Sequence, residues 1–171
     1  MRDLTDEINA LALDNADSYD LILINSIIFR FQGQLDSVHE TGVYAVSLTY
    51  DVGRDEHGTP CPQISFGFNT ESNLEKTNAD RYDYSRFLER TADVTDVDGA
   101  IDMWLKFKGY DMSADNDRVL DLMAAAVRKM HDTGAIDEIF FRDIPVIVGA
   151  NVSREKINAA NEKANGNIKI S

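Results

Sequence analysis

The chain has 171 residues, with 17 Lys and Arg against 30 Asp and Glu, so its formal net charge is −13. Hydrophobic residues make up 43% and charged residues 27%, an ordinary globular usage that argues against a collagen-like, disordered or membrane-spanning chain and predicts a single domain over 1–171. The charge argues against direct nucleic-acid binding, which needs a basic stripe that releases counterions, and against acidic membrane surfaces.

Residues 4–16 predict a first helix, with Ile8, Leu11 and Ala12 at helical spacing and Thr5 as its cap. Residues 20–35 are rich in Ile, a strand former, yet Leu21, Ile24, Ile28, Phe31 and Leu35 recur at the helical period. Their apolar residues spread beyond one stripe, which predicts a central, well-buried helix. The stretch 21–31 is interrupted by Asn25, Ser26 and Arg30 and falls short of the ~20 apolar residues of a bilayer span. Residues 1–7 are acidic and lack the apolar run of a secretory signal, so the expected compartment is the cytoplasm.

Residues 43–50 alternate as a strand, with Tyr44, Val46, Leu48 and Tyr50 on one face and Val43, Ala45, Ser47 and Thr49 on the other. A polar turn with two glycines and Pro60 leads to a second strand over 63–69, with Ile64, Phe66 and Phe68 on one face. The two predict an antiparallel pair. A short helix is expected over 70–78 and helical structure over 82–90. An amphipathic helix over 97–108 carries Val97, Ile101, Trp104 and Leu105 on one side. Ser113 opens the best-patterned helix, with Val119, Met123, Ala126 and Met130 on one face and Gly134 as its stop. Residues 139–148 predict one or two strands, with Pro145 pushing part of the run toward an edge or a bulge. Ser153 caps a last helix that runs to Ala164. This order predicts an α+β fold: an antiparallel-rich sheet of three to five strands packed with several helices.

The single cysteine, Cys61, excludes an intrachain disulfide and fits a reducing compartment. His57 lies four residues before it, but a Cys-His pair is defined in space, and an unreactive cysteine is the plainer reading. His39, His57 and His131 lack metal-ligand spacing, and no phosphate-loop, dinucleotide or hydrolase fingerprint is present. Asp93, Asp96 and Asp98 with Gly99 resemble a calcium loop, but Val94 and Leu105 stand where the template requires acids. No catalytic residue, metal site or cofactor is assigned.

The feature that stands out is acidic. Between residues 93 and 121 there are eight aspartates against Lys106, Lys108 and Arg118. If the two helices here are antiparallel neighbours, their facing ends form an acidic patch that steers in a basic protein. The candidate partner-binding residues are Asp93, Asp96, Asp98, Asp102, Asp111, Asp115 and Asp117. The plainer reading is a pair of solvated helix N-termini, where Asp is favoured anyway.

Four stretches carry a likeness: Tyr44-Ala45-Val46-Ser47-Leu48-Thr49-Tyr50, Phe68-Asn69-Thr70-Glu71, the helix into Gly134 with 136–148, and Ala160-Asn161-Glu162-Lys163-Ala164-Asn165. Together they resemble an uncharacterised family of small bacterial proteins, a domain of unknown function whose members sometimes sit beside polymorphic toxin genes. The family's tryptophan-rich middle is reduced here to Trp104. The resemblance implies an α+β domain and an immunity role, and it carries over no catalytic residues. The expected function is therefore an acidic, cytoplasmic, immunity-type protein that binds and neutralises a toxin, with a basic nuclease toxin as a candidate partner. The alternatives are an enzyme with an unrecognised, metal-assisted acidic site and a non-catalytic subunit or adaptor.

Overall fold

The computed structural model describes residues 17–77, 80–90, 95–168 and 170. The helix expected over 4–16 and Asp93 lie outside the described residues. The elements are α1 (Ser18–Asp36), β1 (Val43–Arg54), β2 (Pro60–Thr70), α2 (Glu71–Thr77), a 3-10 turn (Tyr84–Arg86), β3 (Leu88–Arg90), α3 (Thr95–Lys108), α4 (Asn116–Asp132), α5 (Ala135–Phe140), β4 (Val146–Ala150) and α6 (Arg154–Asn165).

The fold is α+β, but the sheet is mixed where an antiparallel-rich one was expected. Three main strands and the three-residue β3 stand in the order β3-β2-β1-β4. β1 pairs antiparallel with β2, as the hairpin dictates, whereas β4 lies parallel to β1. Parallel pairing needs a long crossover, and the three helices between β3 and β4 supply it. α1, α3 and α4 bury their apolar faces with Val46, Leu48, Tyr50, Ile64, Phe66 and Phe68 in one core.

Two local expectations are corrected. Residues 82–90 are not a helix: the Asp83 carboxylate accepts the Ser85 N–H and caps a single 3-10 turn. Phe87 then turns extended, and Leu88–Arg90 pairs with β2 as β3. Nor are residues 139–148 all strand. Ile139 and Phe140 end α5, and Phe141, at φ 56°, breaks the helix. β4 begins after Pro145, whose carbonyl accepts the Val46 N–H.

The alternation expected in β1 also fails at one point. The register shifts between Val43 and Ala45, which makes Tyr44 the extra residue of a bulge. Val43 therefore joins Val46 in the main core, and Tyr44 joins Ala45, Phe87 and Ile147 on the opposite face. There the Tyr44 hydroxyl donates to the Arg81 carbonyl at 2.7 Å and accepts from Asn69 Nδ2 at 2.8 Å. The Arg81 guanidinium lies 4.1 Å from the Tyr44 ring centre and pairs with Glu71. The bulge thus pins residues 80–87 over the second face of the sheet.

The stretch of β2 that β3 does not reach and the outer edge of β4 are closed by helix side chains or by proline. On β2, Asp55 donates to Thr59 across the hairpin, so residues 60, 62 and 64 face away from β1. Pro60 and Pro62 have no N–H to offer there, and Asp98 of α3 accepts the Ile64 N–H at 2.9 Å. On β4, Asn161 of α6 accepts from Val148 N–H and donates to Val148 O, both at 2.8 Å. Asn165, one turn on, does the same for Val146 at 2.8 and 2.9 Å. Ala160 and Ala164 beside them pack into the core.

Candidate functional site

The aspartates divide into separate local roles. Asp96 lies in the first turn of α3, with its side chain outside the described residues. Asp98 and Asp102 stand one helical turn apart on α3. Asp98 seals the β2 edge, and Asp102 pairs with Lys106 at 2.5 Å. Burial pushes the Asp98 carboxyl above its ordinary value, against the opposing pull of the Ile64 N–H. Asp111 accepts the N–H groups of Ser113 and Ala114, both at 2.8 Å, and these hold its carboxyl below the usual range. Asp115 accepts the Asp111 N–H at 2.7 Å. Asp117 faces elsewhere: it pairs with Lys156 of α6 at 2.7 Å, which lowers its carboxyl.

α3 and α4 are not the simple facing pair that the sequence invites. Each packs against α1. Several of the acids act on Tyr50, in the second half of β1. Its hydroxyl donates to Met112 O at 3.0 Å, and burial pushes its pKa up to about 12, with further contributions from Asp51, Asp111, Asp102 and Asp98. Three of the seven predicted residues, Asp98, Asp102 and Asp111, therefore share one field with Asp51, and Asp115 is tied to that group through Asp111. In the sequence Asp51 follows the alternating stretch, where a polar turn is expected. Its role depends on β1 running on to Arg54, which alternation over 43–50 did not reveal.

Alongside the acids α3 exposes two large apolar side chains, Met103 at 73% and Phe107 at 64%. Trp104 is core, as its spacing predicts, and donates its indole N–H to Asp20 at 2.8 Å. Phe107 instead stacks on Tyr19 of α1, ring centres 4.0 Å apart. Met103 follows Asp102 directly and lies one turn before Phe107, so an apolar row runs beside the acidic one.

Among the described residues, no group of three or more His, Cys, Asp or Glu is placed to hold a metal ion. Among the same residues, no helix is long and apolar enough to cross a membrane. No family model, curated protein or solved structure matches the chain.

Proposed function

We propose that this chain is a binding protein of the immunity type, which occludes a basic protein partner through the surface formed by Asp51, Asp98, Asp102, Asp111 and Asp115, with Met103 as its apolar anchor. What supports the reading is the set of aspartates that act on Tyr50, with Met103 exposed directly after Asp102 on α3. Interfaces combine an apolar centre with a charged surround, and a field of one sign accelerates the approach of an oppositely charged partner. The net charge of −13 strengthens that field. The resemblance to toxin-associated bacterial proteins supports a toxin as the partner, and a nuclease toxin suits the charge because its own substrate is anionic.

The test begins with capture of partners from the native cells at low and high salt. For a basic partner found there in stoichiometric amount, the association rate is then measured with the protein and with the D98N/D102N variant. The reading expects slower association and a flatter salt dependence in the variant. An unchanged rate removes these aspartates from the interface. Specific stabilisation by Mg²⁺, Mn²⁺ or Zn²⁺ in a melting assay, lost in the same variant, favours the metal-assisted enzyme instead.

A further inference from the structure

Helix α1 carries a second exposed face. Ile22 and Phe29 are 58% and 75% exposed. With half-exposed Ser26 and exposed Gly33 they form a stripe at steps of four, three and four residues, which is one side of a helix. The Ser26 hydroxyl donates to the Ile22 carbonyl at 3.0 Å, so it is turned onto its own helix. Beside Gly33 lies a hollow of about 430 Å³ lined by Phe29, Arg30, Gln32, Gly33, Gln34 and Asp36. A Cβ built on Gly33 meets nothing within 4 Å.

The stripe is complementary to itself. When two α1 helices lie antiparallel about a two-fold axis, with the axis between positions 27 and 28, Ile22 of each copy faces Gly33 of the other, and Ser26 faces Phe29. Every pair sets large against small, and Ile22 enters the hollow at Gly33. The stripe itself carries no acid: the nearby Asp20 is buried and bonded to Trp104 and Lys108, and exposed Asp36 lies at the margin of the hollow.

The area is adequate as well. Tyr19, 44% exposed, and Phe107 extend the apolar face from α1 onto α3. With aromatic side chains at about 150–250 Å² each, Tyr19, Ile22, Phe29 and Phe107 expose on the order of 500 Å² per copy. Ser26 and Gly33 add little to this, so two copies together bury about 1,000 Å², the lower bound for a specific interface.

We propose that α1 is a homodimer interface, occupied by α1 of a second copy in antiparallel register. This surface is centred on α1 and adjoins the acidic one only at Phe107, and it does not rest on the partner reading. The experiment is the solution mass of the full chain by sedimentation across a range of concentrations. The expected result is a rise from 19.1 kDa to twice that mass. Gly33→Leu fills the hollow in each copy, and the expected result is a monomer whose melting temperature is not lowered, since Gly33 has open space and leucine is the better helix former. The I22A/G33L variant restores large against small with the roles exchanged and is expected to recover the dimer. D102N, on the acidic surface, leaves the mass unchanged. A wild-type chain that stays monomeric overturns the proposal, as does a G33L dimer as strong as wild type. Failure of I22A/G33L to recover the dimer overturns the register.

Discussion

Asn161 of α6 hydrogen-bonds both the N–H and the C=O of Val148, so that a side-chain amide stands where the backbone of a neighbouring strand would stand. With Asn165 on Val146, the pair completes the outer edge of β4 without adding a strand. A bare edge invites pairing with another chain, and buried backbone groups left unpaired cost free energy. Replacing Asn161 by Leu orphans one buried N–H and one buried C=O. At about 1–3 kcal/mol for each, the expected loss is about 2–6 kcal/mol, read as a lower urea midpoint. The same variant is expected to aggregate faster on partial unfolding, measured by light scattering.

Asp98 makes a pH prediction. Its carboxyl titrates above the ordinary value of 3.8 because burial disfavours the charged form. The folded state therefore holds the proton more tightly than the unfolded chain. Stability from this group is fully present below the unfolded value and is lost as pH rises through the folded one. Asp98→Asn keeps an oxygen for the Ile64 N–H and removes the charge. It is expected to raise the melting temperature at neutral pH, and the difference from wild type is expected to close as pH falls below 3.8. A difference that persists unchanged in acid contradicts this account.

Gly149 lets an aromatic ring lie on the sheet. A Cβ there falls 3.0 Å from Tyr84 Cζ and from its hydroxyl oxygen, and 3.3 Å from Thr49 Cγ2. Gly149→Ala must push Tyr84 away. Overpacking of this kind costs about 1–3 kcal/mol. The expected signature is local: faster hydrogen exchange of the amides over residues 80–87, with the amides of α4 unchanged at the same denaturant-free pH.

Trp104 ties α3 to the start of α1 through Asp20, which also caps the helix in a reciprocal box with Asp17 and meets Lys108 at 3.1 Å. Trp104→Phe retains an aromatic ring and deletes the indole N–H. Leaving a buried carboxylate with one partner fewer costs about 1–3 kcal/mol. A double-mutant cycle with Asp20→Ala is expected to show coupling between the two sites, because each single change breaks the same bond.

Much of the fold was legible in the residue pattern because those elements are set by local periodicity. The helical steps from Leu21 to Leu35, the alternation of Ile64, Phe66 and Phe68, the charge-biased ends of α4 and the Ser153 cap each report a face or a terminus over a few neighbouring residues. The run of acids was legible too, as composition. What only the tertiary structure decided involves residues far apart in the chain. The parallel entry of β4 depends on a crossover of three helices, and the switch of Tyr44 to the second face depends on one extra residue against Thr70 and Asn69. The division of the aspartates into an edge seal, a turn and ion pairs depends on which backbone N–H or lysine each meets at about 2.5–3 Å, and hydrogen bonds are lost beyond such distances. Spacing along a chain records the angle around one helix or strand. It does not record which other element lies within that reach.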